Sequence, residues 1–111
     1  MARSLPLLLG LTLATALLAP AAHADQQAKI DARIEAWGRN CKNAVAAKYP
    51  KSTMADISVE LGATLQQSIN SGETTLKDIQ ARGLSYNWSF RKHSGYCNTD
   101  GNGTVTELKK L

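Results

Sequence analysis

The chain has 111 residues, with 13 Lys and Arg against 9 Asp and Glu, and two cysteines. That length accommodates one domain, and the modest positive excess is interspersed with acids, a balance that serves solubility and gives no argument for nucleic-acid binding. Residues 25–111 hold all six aromatic residues but few large aliphatics, so the expected core is marginal and a covalent staple matters.

Residues 1–24 read as a signal peptide. Arg3 is its short positive start, Leu5 to Leu18 an apolar run, and Ala22-His23-Ala24 a small-x-small cleavage site before Asp25. The run is short for a transmembrane span and Pro20 follows it, so removal is expected rather than anchoring, leaving no membrane span after cleavage. No cysteine stands at the new N-terminus to take a lipid. The expected location is a bacterial periplasm or the exterior, with residues 25–111 as the mature domain. In that oxidising setting Cys41 and Cys97 are expected to form one disulfide. The loop it closes is worth about 4 kcal/mol in the chain-entropy model. Neither a CxxC spacing nor an accompanying histidine cluster supports a redox or metal-binding pair.

Asp25 to Lys48 predicts one long helix, capped by Asp25. Ile30, Ile34, Trp37, Cys41 and Val45 recur at steps of three and four, which aims Cys41 at whatever the helix covers. Tyr49-Pro50 ends it, because the residue before proline is pushed out of the α region. Gly38 is costly inside a helix and points to a close approach beside Trp37. Ile57, Val59, Leu61, Ala63 and Leu65 alternate with polar residues and predict a strand to Leu65. A helical spacing of Ile57, Leu61, Leu65 and Ile69 competes with it and leaves Gln66 to Ile69 undecided.

Thr74 to Gly83 predicts a short helix. Gly83 stands where a left-handed residue would close it, with Leu84 folding back onto Ile79. Tyr86, Trp88 and Phe90 then alternate with Asn87, Ser89 and Arg91, a strand with one buried face. His93-Ser94-Gly95 breaks the pattern, Tyr96-Cys97-Asn98 resumes it, and Asp100-Gly101-Asn102-Gly103 turns it again. Three antiparallel strands are expected from Ser85 to the end.

Asn98, Asp100 and Asn102 occupy the spacing of calcium-ligand side chains, followed by Gly103, Thr104 as a carbonyl donor and the apolar Val105. Asn98 to Thr106 thus resembles the opening of an EF-hand or dockerin-type calcium loop. It departs from that pattern with Asn98 in place of the first aspartate and Lys109 where a bidentate glutamate belongs. Any calcium would be held weakly, and no other cofactor is implied. The same residues fit a three-residue hairpin loop with Gly103 as its left-handed bulge residue. That loop pairs Thr99 with Val105 and Cys97 with Glu107.

Arg91-Lys92-His93 is a basic cluster in a turn and the candidate contact for an anionic partner. Alternation places Arg91 on the face opposite Trp88 and Phe90, so the aromatics are assigned to the core and the tip to solvent. Ser94 beside His93 is adjacency in sequence, not triad geometry. No G-x-S-x-G, H-E-x-x-H or phosphate loop occurs, and no enzyme is expected.

The expected fold is α+β: a long N-terminal helix packed on a four-stranded antiparallel sheet, one short helix between the first two strands, and a single disulfide. The expected function is that of a small exported, non-catalytic binding or inhibitory module. It would act on a protein or cell-envelope partner through the open sheet face or the loops at His93 and Asp100. The alternative is a structural protein with a degenerate calcium loop at Asn98–Thr106.

Overall fold

The computed structural model describes backbone from residue 4 and side chains from residue 24 to residue 111. The signal peptide expected over residues 1–24 lies, Ala24 apart, outside the residues described with their side chains.

Helix α1 (Ser4–Lys48) buries Ile30, Trp37, Cys41 and Val45 on one stripe. Asp25 does not cap it: the residue sits within the helix, its carboxylate 3.5 Å from Lys29 Nζ. The other end is as the sequence implies. Tyr49 donates its amide to Val45 O (3.0 Å), and Pro50 prevents another turn.

A short 3₁₀ turn (Met54–Asp56) leads into strand β1 (Ile57–Leu61). The strand stops four residues earlier than the alternation implies, and Ala63–Asn70 forms helix α2. The Gly62 amide is the last ladder group, donating to Ser85 O at 3.1 Å, while the Gly62 carbonyl accepts the first helical bond from Gln66 at 2.8 Å. Leu65 and Ile69, four apart, then turn one face to the core, and the undecided stretch is helical. Two helices therefore separate the first two strands.

Helix α3 (Leu76–Arg82) opens on a reciprocal cap between Thr75 and Asp78. Hydrogen bonds from the Thr75 amide and hydroxyl hold the Asp78 carboxyl below the usual carboxylate range. The helix closes on Gly83, with positive φ (84°) as expected but an extended ψ of −162°, so no left-handed fold-back forms. The Leu84 amide donates to Thr99 Oγ1 (3.0 Å) instead of returning to the helix. A methyl group on Gly83 would collide with the Thr99 carbonyl. Only glycine lets the chain lie this close to the sheet.

Strands β2 (Ser85–Phe90), β3 (His93–Thr99) and β4 (Val105–Lys110) follow β1 in order, every neighbour antiparallel. The inner face carries Tyr86, Trp88, Phe90 and Cys97 against α1. The close approach expected at Gly38 is made by the Tyr86 ring; an added Cβ would lie 3.2 Å from that ring. The Tyr86 hydroxyl donates to Ile34 O at 2.6 Å, and its burial raises its pKa above the ordinary tyrosine range. The Cys41–Cys97 disulfide, with Cα atoms 6.0 Å apart, ties α1 to β3 across a sequence separation of 56. The fold is α+β.

One register expectation needs correcting. Thr99 pairs with Val105, but Cys97 pairs with Leu108 and Glu107 with Asn98. The register shifts between Asn98 and Thr99, and Thr106 is the extra residue on β4, its hydroxyl donating to Asn98 O at 3.2 Å.

Candidate functional site

The two loops singled out in the sequence lie at opposite ends of β3. The Asp100–Thr104 turn is closed by Gly103 N to Asp100 O (3.0 Å) and Asp100 N to Thr104 O (2.9 Å). Asp100 Oδ1 accepts the amides of Asn102 (2.9 Å) and Thr104 (3.0 Å), so this oxygen serves its own loop. Asn98 lies two residues before Asp100 and donates its side-chain amide to Glu107 Oε1 at 3.1 Å. Asn102 is exposed at the tip. Among the described residues no group of three or more His, Cys, Asp and Glu side chains converges as a metal site would require.

This turn is docked on both sides. Gly103 has φ 84°, and a Cβ there would run into the Trp37 indole; a Cβ on Gly101 would strike the Gln80 carbonyl of α3. Asn40 on α1 donates its amide to Gly103 O at 2.9 Å. The glycines that give the stretch its calcium-loop look are the points where helices touch it.

At the other end, Phe90 pairs with His93, leaving Arg91 and Lys92 as a two-residue hairpin loop. Such a loop needs a mirror-image turn, with positive φ at its first central residue, normally supplied by Gly or Asn. Here that residue is Arg91, at φ 55°. The conformation costs an L-residue about 1 kcal/mol or more. It also carries the guanidinium over the Phe90 ring, its carbon 5.3 Å from the centroid. Simple alternation placed charge and aromatics on opposite faces; the turn brings them together.

Tyr49, just past the end of α1, completes the cluster. Its ring stacks on His93 (centroids 4.9 Å, planes 14° apart) and tilts against Phe90 at 5.3 Å and Trp88 at 5.9 Å. The Tyr49 hydroxyl is buried without a hydrogen-bond partner among the described residues. Ser52 fixes the chain by donating both its amide (2.8 Å) and its hydroxyl (2.6 Å) to Tyr49 O. The result is a cleft of about 340 Å³ lined by the recessed rings of Tyr49 and Phe90 and by the exposed Lys48, Pro50, Lys51 and Arg91. The cleft can take an apolar group that carries negative charge beside it.

Arg91 and His93, expected as partner contacts, both pack into this cluster, with Lys92 exposed beside them. The sequence gives no expectation that Lys48, Tyr49, Pro50 and Lys51 lie beside them, as they do in the cleft. A signal for them exists: Lys48-Tyr49-Pro50-Lys51 and Phe90-Arg91-Lys92-His93 share one basic-and-aromatic makeup. His93 and Ser94 alternate along β3 and face opposite sides of the sheet.

The outer sheet face is polar, with Ser58, Ser89 and Ser94 in one cross-strand row and Glu60, Asn87, Tyr96 and Lys109 in the next. Among the described residues no helix is long and apolar enough to cross a membrane. No known protein family, curated protein or solved structure matches the chain.

Proposed function

We propose that the protein is a small exported, non-catalytic binding or inhibitory module that engages a protein or cell-envelope partner at the Arg91–Lys92 end of its sheet. The observation that carries this reading is Arg91 at positive φ. Glycine would form the same turn without strain, and a strained residue held by its surroundings is a pointer to function. The surroundings are rigid: an aromatic stack beneath the turn and the end of a helix that a disulfide fastens to the sheet. The disulfide also supports export, since such bonds persist in oxidising compartments.

Site-specific photo-crosslinking in the exported protein tests the reading. A photoreactive residue at position 92 is expected to capture a partner in the native envelope, and one at position 102 is not. Equal capture from both positions, or none from either, would count against it.

A further inference from the structure

We infer that the Tyr49–Phe90 cleft receives one apolar side chain from an acidic segment of a partner protein, while Lys48, Lys51 and Arg91 hold the carboxylates that flank it. The inference rests on the binding-module reading and names the chemistry of the occupant.

Charge complementarity is the first argument. Three cations line the cleft and no acid does. Among the described residues the ion pairs are Lys29–Asp25 and Arg39–Glu35, so internal partners do not neutralise the rim. An anionic group arriving there meets cations already gathered and exposed.

The second argument is the depth of the apolar surface. Phe90 is only 6% exposed and Tyr49 is half-buried, so the two rings that line the cleft are recessed behind the cations. A bilayer-binding surface offers protruding aromatic or large aliphatic side chains for insertion; here the exposed lining residues are the three cations and Pro50, and the large apolar group comes from the partner. At about 340 Å³ the cleft is at the small end of ligand pockets, room for one side chain with its flanking backbone outside. Nucleic acid fits poorly. The Tyr49 and His93 rings face one another at 4.9 Å, leaving no splayed platform for a base.

Amide NMR titration of the intact mature protein tests the inference, using a blocked pentapeptide of one phenylalanine flanked on each side by two glutamates. A control peptide carries serine in place of phenylalanine, and vesicles of equal phosphatidylglycerol and phosphatidylcholine form a third arm. The phenylalanine peptide is expected to shift amides at Lys48–Ser52 and Phe90–His93 saturably. It should bind about tenfold tighter than the serine peptide, the worth of burying much of one apolar side chain. The double variant K51E/R91E is expected to weaken it about tenfold or more while leaving distant amide positions unchanged. Equal binding of the two peptides, shifts confined to another surface, or no shift at all would overturn the inference. Vesicles that perturb the same amides while the peptide does not would assign the surface to lipid and overturn it equally. If position 92 still captures a partner when the peptide fails, the binding module stands and only this occupant falls.

Discussion

The two tips of the β3 hairpins are built from opposite materials. At Asp100–Thr104, close approach dictates the residues: Gly101 lies under α3, Gly103 under Trp37, and Asn40 reaches down to hold a carbonyl. At Arg91–Lys92 a left-handed position that glycine would fill without cost is held by arginine, whose charge lies over Phe90 and beside a cleft. The first tip gives up side chains to gain packing. The second accepts backbone strain to present a side chain. On the proposed function, stability belongs to one end of the sheet and recognition to the other, and substitutions at the two ends should separate these properties.

The largest expected effect lies between the tips. Replacing Cys41 and Cys97 with alanine releases α1 from β3 and should cost about 4 kcal/mol in urea unfolding, enough to leave much of a small domain unfolded. A loss under about 1 kcal/mol would mean that the tips are held by packing alone. Next is Gly103→Ala, which meets both a left-handed backbone and the Trp37 indole. It should cost about 3 kcal/mol, against about 1 for Asp100→Ala, which removes only an acceptor for two amides. Equal losses in parallel melts would argue that the loop is organised by something other than its contact with α1.

Arg91→Gly is expected to go the other way. Relief of the positive φ outweighs the loss of one cation–ring contact, for a gain of about 0.5 kcal/mol by chemical denaturation. A clear destabilisation would show that Arg91 serves the fold, and the contrast between the tips would collapse. The smallest effect concerns calcium. One Asp100 oxygen already serves two loop amides, and Lys109 rather than an acid stands at the closing position. Stabilisation in 10 mM calcium relative to magnesium should therefore stay below about 0.3 kcal/mol. A calcium-specific rise in Tm that Asp100→Asn abolishes would turn the glycine-rich tip into a site.

Much of this architecture can be read in the chain itself, because its cause is local. The spacing of Ile30, Trp37, Cys41 and Val45 gives the buried stripe of α1, and Tyr86, Trp88 and Phe90 give the inner face of β2. Gly103 announces its own left-handed turn. What escapes is decided by distant partners. Ile57 to Ile69 satisfies the periods of both strand and helix, and the choice falls at Gly62, whose amide finds Ser85 far along the chain. The exit of α3 looks like an ordinary left-handed ending until Thr99 claims the Leu84 amide. The cleft escapes for the same reason. Arg91 and His93 are visible as a basic turn, but Tyr49 joins them only because α1 ends over that corner of the sheet.

The division between the tips is tested most directly by measuring the stability and the peptide affinity of one variant, R91E/K92E. The expected result is an unfolding free energy lowered by no more than about 1 kcal/mol, the worth of the lost cation–ring contact, with affinity for the acidic phenylalanine peptide reduced about tenfold. Unchanged affinity, or a loss of binding that merely tracks a loss of stability, would contradict it.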